Sequence, residues 1–456
     1  MQHRNRRSLV RISVFGLGRV GLVTAACFAK KGFQVIGIDS DPEVVRLTRG
    51  LQPPFYEPKL NAYLRGALRK VTLKVTDKPE ESAQTDLVYI TVGTPSCRNG
   101  TIDLSQIKNA ATMIGSSIRN SDRFQTVVIK STVTPGTAQK VVKPILQHES
   151  NKSAGLDFGL VSNPEFLREG NAIRDTEHPD RIVIGGEHTR PINRLAAFCK
   201  RFHGARLPRI IRTTHENAEL IKYANNAYLA TKVSFINTIS CIAERIGNAD
   251  VSTVTKAIAA DGRSRESHLN AGLGYGGPCL PKDLRAFIQM SRGLGYEPEL
   301  LNAVSDVNQR QPDKALEFAK RALRSIRHSR VAILGLAFKP RTDDMREAVS
   351  IRIIRRLLLK GAKVIAYDPA ANEAARKIFG DQIDYATDAR QCIRDADLAI
   401  IVTEWDVLKT LTPSDFLSLM RTPIVFDGRR IFDHTDMRAA GIDFSAVGLG
   451  PHSETS

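Results

Sequence analysis

Two kinds of apolar pattern alternate along the chain. Short, nearly continuous apolar runs stand at RISVFGLG, QVIGID, DLVYITVG, TVVIKST, FGLVSNPE and RIVIGG, and each gives way to a polar or helical stretch. Such runs suit strands covered on both faces, and their alternation with helices is what a parallel sheet with crossover connections requires. From Glu216 the period changes. In AELIKYANNAYLATKVSFINTISCIAERIG apolar residues recur every three or four positions for about eight turns, which predicts one long helix. Shorter helical segments follow, then a glycine-rich loop from Gly272 to Gly277, a helix opening near Pro281, and a helical stretch from Pro298 to about Ser325, with no strand candidate among them. After Arg330 the alternation resumes with RVAILGLAFK, a helix to Lys360, AKVIAYDP, LAIIVTEW and PIVFDGRR. The pattern predicts an α/β fold: two Rossmann-like domains, 1–205 and 326–456, joined by a helical central domain, 206–325. A cleft between domains is the default place for a substrate. A long amphipathic helix must also cover its apolar stripe, which favours the pairing of two subunits.

Composition narrows the picture. With 456 residues, 42% hydrophobic and 25% charged, the chain reads as an ordinary globular protein of two or three domains. Six cysteines without CxxC pairs argue for free thiols rather than a disulfide framework or a zinc site. The net charge of +18 is spread along the chain, and its densest cluster is Arg4, Arg6 and Arg7. Without a nucleic-acid module this implies a solvated basic surface that suits an anionic small molecule, not a specific nucleic-acid partner. No apolar run is long enough to cross a bilayer, and MQHRNRRSLV leads straight into a strand, so a cytoplasmic protein without membrane insertion is expected. The tail PHSETS is expected to be disordered.

Candidate chemistry begins with GLGRVG. Gly16, Gly18 and Gly21 follow the strand RISVF, open a helix, and precede a second strand ending in Asp39. Glycines allow a tight turn and a backbone approach to a pyrophosphate, which then rests on the helix N-terminus. Asp39 should accept hydrogen bonds from a ribose 2′-OH and repel a 2′-phosphate, with Asp41 adding to that repulsion, so NAD is favoured over NADP. GLAFKP, at Gly335 to Pro340, occupies the equivalent strand end of the second α/β region without the glycine fingerprint, and Lys339, Arg341 and Arg346 are available there to phosphates.

GLGYGGPCLPKDL places Cys279 between a glycine run and a helix start, with Pro281 suited to the first turn. Helix amides and Lys282 would favour a nucleophilic thiolate, whereas an isolated cysteine would more often be structural. Lys222 and Asn226, four apart on the long helix, share a face and could hold an oxyanion or a water together. In NPEFLREG, Glu165 and Glu169 show the same spacing and suit a base and a cofactor contact.

These motifs, with VGTP (Val92 to Pro95), KSTVTPGT (Lys130 to Thr137), GLAFKPRTDDMRE and DGRR (Asp427 to Arg430), resemble the UDP-glucose/GDP-mannose 6-dehydrogenase family over nearly the whole chain. The resemblance implies a four-electron oxidation in which two NAD molecules are reduced in turn, taking a sugar C6 alcohol to an acid through a thiohemiacetal and a thioester on Cys279. It implies that Lys222 and Asn226 stabilise oxyanions, Asp283 helps activate water, and Thr132 and Glu165 order or deprotonate water. NAD would contact Gly16, Gly18, Val20, Gly21, Asp39, Thr94, Thr132, Glu169, Lys282 and Arg346. The sugar nucleotide would contact Glu165, Phe166, Leu167, Lys222, Asn226, Arg263, Gly276, Lys339 and Arg429. Arg263 falls where the family reaches into a neighbouring subunit, implying at least a homodimer. TEWD (Thr403 to Asp406) and FDGRRIFD look like the UDP-glucose branch, whose product, UDP-glucuronate, feeds polysaccharide synthesis. GDP-mannose, another UDP-sugar, or a binding protein that has lost catalysis are the alternatives. The chain departs from the family pattern at Pro278, Leu280, Ser264, Arg265 and His268.

Overall fold

The computed structural model describes residues 10–264 and 267–451; Arg4, Arg6, Arg7, Arg265 and residues 452–456 of the tail lie outside it. The chain divides into two compact units, Met1–Asn225 and Asn226–Ser456.

The first unit is built on eight strands: β1 (Arg11–Phe15), β2 (Gln34–Ile38), β3 (Leu73–Thr76), β4 (Leu87–Ile90), β5 (Thr126–Ile129), β6 (Gly159–Ser162), β7 (Arg181–Gly185) and β8 (Arg209–Thr213). Their order is β3-β2-β1-β4-β5-β6-β7-β8, parallel except where β6 meets β7. The first six strands reproduce the doubly wound order, so the chain reverses direction across the sheet between β1 and β4, the switch point where such folds bind ligands. β1, β4, β5 and β6 are almost wholly buried, as their continuous apolar runs foretold. β3 and β8 were not legible as strands. LKVT has only four residues, and RIIRT is a half-exposed edge strand flanked by arginines, which carries the sheet past residue 205. One face of the sheet packs around an aromatic group in which Phe28 meets Phe198 and Phe202 edge-on, each at 4.9 Å between ring centroids.

The second unit contains β9 (Arg330–Leu334), β10 (Lys363–Tyr367), β11 (Asp384–Tyr385), β12 (Leu398–Ile401), β13 (Ile424–Asp427) and β14 (Asp443–Ala446). They form an all-parallel sheet in the order β11-β10-β9-β12-β13-β14, the same winding with its switch point between β9 and β12. Its helices include Val251–Ala260, Leu280–Gly293, Glu299–Arg310 and Asp313–Ala322. The expected single stretch from Pro298 to about Ser325 is therefore two helices. Pro312 lacks the amide needed to continue the first, and the chain turns at Gln311 and Pro312.

The predicted long helix runs from His215 to Ala243, 29 residues or about 43 Å, and the division between units falls within it. In the second unit Ala227 and Ala230 on this helix join Leu284, Ile288 and Val304 in a small apolar cluster. No strand stands between β8 and β9 among the described residues.

Candidate active site

In the first unit the GLGRVG turn is shaped around the glycines. Gly16 has φ +89°, and a Cβ there would lie 3.0 Å from the Val92 backbone; at Gly21 a Cβ would sit 1.8 Å from the Gly16 carbonyl oxygen. Gly18 caps helix Arg19–Lys30 without a side-chain hydrogen bond and with open space where a Cβ would be, so the amide of Val20 in the first turn suits an anion. Asp39 follows β2, and its two carboxylate oxygens accept amides from Leu17 (2.6 Å) and Asp41 (2.9 Å). Each oxygen retains acceptor capacity for a ribose hydroxyl. Asp41 is spent as a cap, accepting the Glu43 amide. This cradle fits the adenosine half of a dinucleotide. Thr94 donates its hydroxyl to the Thr132 carbonyl (2.9 Å), tying the loops after β4 and β5 together, and Glu169 lies 3.5 Å from Arg19 on the first helix of the cradle.

NPEFLREG is not a helix. After β6 the chain runs irregularly through Asn163–Arg168 and turns at Glu169 and Gly170, where φ is +78°, so the four-residue spacing of Glu165 and Glu169 does not place them on one helical face. Pro164 and the turning glycine interrupt helical continuation. Glu165 is instead buried against the long helix, accepting Lys222 Nζ at 2.9 Å and the Leu167 amide. Burial would raise its pKa, but the charge and hydrogen bond of Lys222, the Leu167 amide and Lys130 together hold it below the ordinary value. Phe166 stacks under Arg181 at 3.9 Å and faces Lys222 at 5.4 Å. Behind Glu165 lies a cavity of about 150 Å³, lined in part by Lys130, Asn163, Phe166, Leu167 and Arg181. Lys130 had no role assigned from sequence. Its ammonium is 3.5 Å from Asn163 Oδ1, and burial pulls its pKa down, partly offset by Glu165.

In the second unit Cys279 is exposed and is the N-cap of helix Leu280–Gly293, with Pro281 in the first turn and no side-chain cap. The preceding glycines are sterically required. A Cβ on Gly276 would lie 2.2 Å from the Glu347 carbonyl oxygen, and Gly277 has φ +86° with Phe338 where its Cβ would be. Asp283, one turn into the helix, is buried and takes both neighbours on separate oxygens: Lys282 Nζ at 2.6 Å and Asn226 Nδ2 at 2.7 Å. The expected Lys222–Asn226 partnership is thus divided, Lys222 serving Glu165 and Asn226 serving Asp283. Lys282 likewise engages Asp283.

Around the second switch point, Arg429 donates to the Val402 carbonyl (2.6 Å) and lies 3.4 Å from Glu404, while Lys339 faces the Phe338 ring at 5.5 Å. Arg346 is held in a two-pronged contact with Asp344 and its carbonyl accepts the Gly277 amide (3.0 Å), fastening the cysteine loop to the GLAFKP region. Arg263 is exposed just beyond helix Val251–Ala260 and pairs with Asp261. No group of three or more His, Cys, Asp or Glu side chains suited to a metal ion occurs among the described residues, and no helix among them is long and apolar enough to cross a membrane.

Fold and site define a nucleotide-binding dehydrogenase of doubly wound α/β type. The chain belongs to the UDP-glucose/GDP-mannose dehydrogenase family: its NAD binding domain matches residues 10–203, its central domain 216–310 and its UDP binding domain 332–434. A UDP-glucose 6-dehydrogenase of Haloferax volcanii is 40% identical, covering 96% of this chain and all of the relative. One from Bacillus subtilis is 39% identical over 96% of this chain and 93% of its own length. Among solved structures, a UDP-glucose dehydrogenase from Pyrobaculum islandicum is 37% identical with a TM-score of 0.89, covering 98% of this chain and 100% of that one. A UDP-D-ManNAc dehydrogenase from Pyrococcus horikoshii is 26% identical with a TM-score of 0.84, covering 96% and 99%. The cofactor is NAD, and the GLGRVG cradle with Asp39 is built to fit it.

Proposed function

We propose that this protein oxidises the C6 alcohol of UDP-glucose to the carboxylate of UDP-glucuronate, with Cys279 carrying the intermediate. The observation that carries the reading is the exposed thiol at an uncapped helix N-terminus, in a loop whose glycines cannot be replaced without collision. UDP-glucose is favoured because relatives named for it are 37–40% identical, against 26% for the UDP-D-ManNAc enzyme.

When bound, NAD would supply the hydride acceptor for both oxidations, and Gly16, Gly18, Val20, Gly21, Asp39, Thr94 and Glu169 would hold it. In the first oxidation the C6 hydroxyl loses its proton to water ordered by Thr132 and Glu165 and C6 loses a hydride to the bound acceptor, leaving the aldehyde, while Lys222 steadies the negative oxygen. The Cys279 sulfur then adds to the aldehyde carbon, and loss of the second hydride leaves an acyl group on sulfur. Water cleaves that thioester, returning the thiol and the carboxylate. Asp283 takes the proton of the attacking water, a reading supported by the bonds from Asn226 and Lys282 that fix its carboxylate. Lys339, Arg346 and Arg429 supply positive charge for the nucleotide-sugar and cofactor phosphates. Cys279→Ser should leave nucleotide affinity within about twofold and lower overall turnover by at least about 1,000-fold. Two NADH per sugar acid in the wild type, read by NADH absorbance, checks the stoichiometry. Near-normal turnover of the serine variant, or one NADH with free aldehyde, overturns the mechanism.

The same reading includes a homodimer. Tyr228, Phe235 and Ile242 stand seven residues apart on the long helix and are 64%, 50% and 51% exposed, a stripe that a second copy would cover. Sedimentation as a monomer at assay concentration would remove this part.

A further inference from the structure

Among the buried acids that the mechanism above does not use is Glu219. It lies on the long helix one turn before Lys222 and is 3% exposed. Its Oε2 accepts the Gly136 amide at 2.7 Å, and its Oε1 accepts the Ala138 amide at 3.0 Å and stands 3.4 Å from the Ser162 hydroxyl. Ser162, at the end of β6, is in turn 2.8 Å from His215 Nδ1, one helical turn before Glu219. Gly136 belongs to the loop that leaves β5 through Ser131 and Thr132, and Ala138 is the first residue of the helical turn Ala138–Val142 in which that loop ends. The near end of that loop is fastened by Ser131 to the Val92 carbonyl and by the Thr132 carbonyl to Thr94. The far end is fastened by Glu219. Thr132, Glu219, Lys222 and Ser162 also border one small internal space of about 10 Å³.

We infer that Glu219 is a positioning residue of the reaction: it clamps the loop bearing Thr132 to the turn of the long helix that presents Lys222, fixing the separation of these two groups. The inference rests on the roles given above to Thr132 and Lys222. Two backbone amides are a specific choice of partner, because their positions are set by the loop conformation, so the carboxylate is satisfied only when the loop is in place.

The charged groups around Glu219 fit a clamp that works when ionised. Lys222, from the same helix, is given to Glu165. Glu216, also on that helix, opposes ionisation, and His215 is held neutral, burial drawing it down to about 4. The loop and the helical turn that ends it offer Glu219 two amides, with Lys140 of that turn beside Gly136, and β6 offers the uncharged Ser162. Burial lifts Glu219 to about 7 against the pull of the two amides. Below that pH one oxygen becomes a hydroxyl and can no longer accept as a carboxylate does, so the clamp loosens in acid and tightens in base.

The test uses the full-length enzyme with saturating NAD and UDP-glucose, comparing wild type with Glu219→Gln, and with Thr132→Ala and Cys279→Ser as controls. Glu219→Gln should lower kcat by about 100-fold, the cost of a misplaced group, while KM for NAD stays within about twofold. The rise of kcat with pH through about 7 in the wild type should be absent from the variant. Wild-type kcat and pH profile in Glu219→Gln, with both controls impaired, overturns the inference. Controls that turn over normally overturn instead the reading on which it rests. If Glu219→Gln melts below the assay temperature, amide exchange of Gly136 and Ala138 in the wild type decides. After correction for intrinsic rates, about tenfold greater protection at about pH 8 than at about pH 6 supports the clamp, and equal protection refutes it.

Discussion

Both halves of the chain place an aspartate directly after the second strand of a doubly wound sheet, and the two do opposite work. Asp39, after β2, is half-buried and gives each carboxylate oxygen one amide, from Leu17 and Asp41. Asp368, after β10, is 2% exposed and saturated by protein donors. Its Oδ2 accepts the Leu336 and Ala337 amides and the Trp405 indole, and its Oδ1 accepts the Ala370 and Ala371 amides. The first aspartate is left for a ribose. The second is consumed in shaping the GLAFKP loop. Identical winding thus yields one dinucleotide cradle and one site of another kind, and the difference lies in how many donors converge on one carboxylate.

This comparison breaks most readily at Asp368. Asp368→Ala orphans five donors, several of them buried, and should destabilise the second unit by about 4 kcal/mol or more, read as a lowered denaturation midpoint, with NAD affinity unchanged. Asp39→Ala should do the reverse. It should weaken NAD by about 2 kcal/mol, or about 30-fold in Kd by calorimetry, and narrow the preference over NADP, with little loss of stability. An Asp39 variant that melts as badly as the Asp368 variant would show that both acids are structural.

The smallest effect concerns pH and sharpens the contrast from the first unit alone. His215, neutral in the fold, contributes stability present above its unfolded pKa of 6.5 and lost as pH falls toward about 4. For complete unfolding, in which Glu219 passes from burial to water, its pKa, raised from 4.5 to about 7, acts oppositely: that contribution is fully present below 4.5 and is lost as pH rises toward about 7. The clamp, by contrast, concerns release of the loop alone with Glu219 still buried. Between 4.5 and 6.5 the two slopes cancel, so this pair adds almost no net pH dependence there. His215→Gln should unmask a fall in stability with rising pH of about 1.4 kcal/mol per unit, measured by urea denaturation across that window. No change in slope would separate Glu219 from the titration assigned to it.

Most of the fold could be read from pattern because its central strands are apolar on both faces and its long helix keeps one period for 29 residues. Edge elements escaped: Asp384–Tyr385 is too short to carry a period, and Arg209–Thr213 reads as a basic linker. The dinucleotide turn and the Cys279 loop were legible since glycine, proline and cysteine have few other reasons to stand in such order. Spacing misled at Glu165 and Glu169, where Pro164 and Gly170 keep the segment out of a helix. It also could not show that Lys222 and Asn226 serve different carboxylates. Glu219 was invisible because HENAELIKY looks like a polar helix start; the signal was an acid on the face that also carries Ala218 and Lys222, a face that proves buried.

Trp405 is the chain's only tryptophan, and its indole N–H is bonded to Asp368 at the second switch point. The intrinsic tryptophan emission of the whole polypeptide therefore originates from one indole in one unit. Unfolding of the sheet β9–β14 shifts that light, while unfolding of the dinucleotide half leaves the emission unshifted and must be followed by backbone dichroism. Overlaying the two optical melts separates the order in which the halves come apart without labelling either of them.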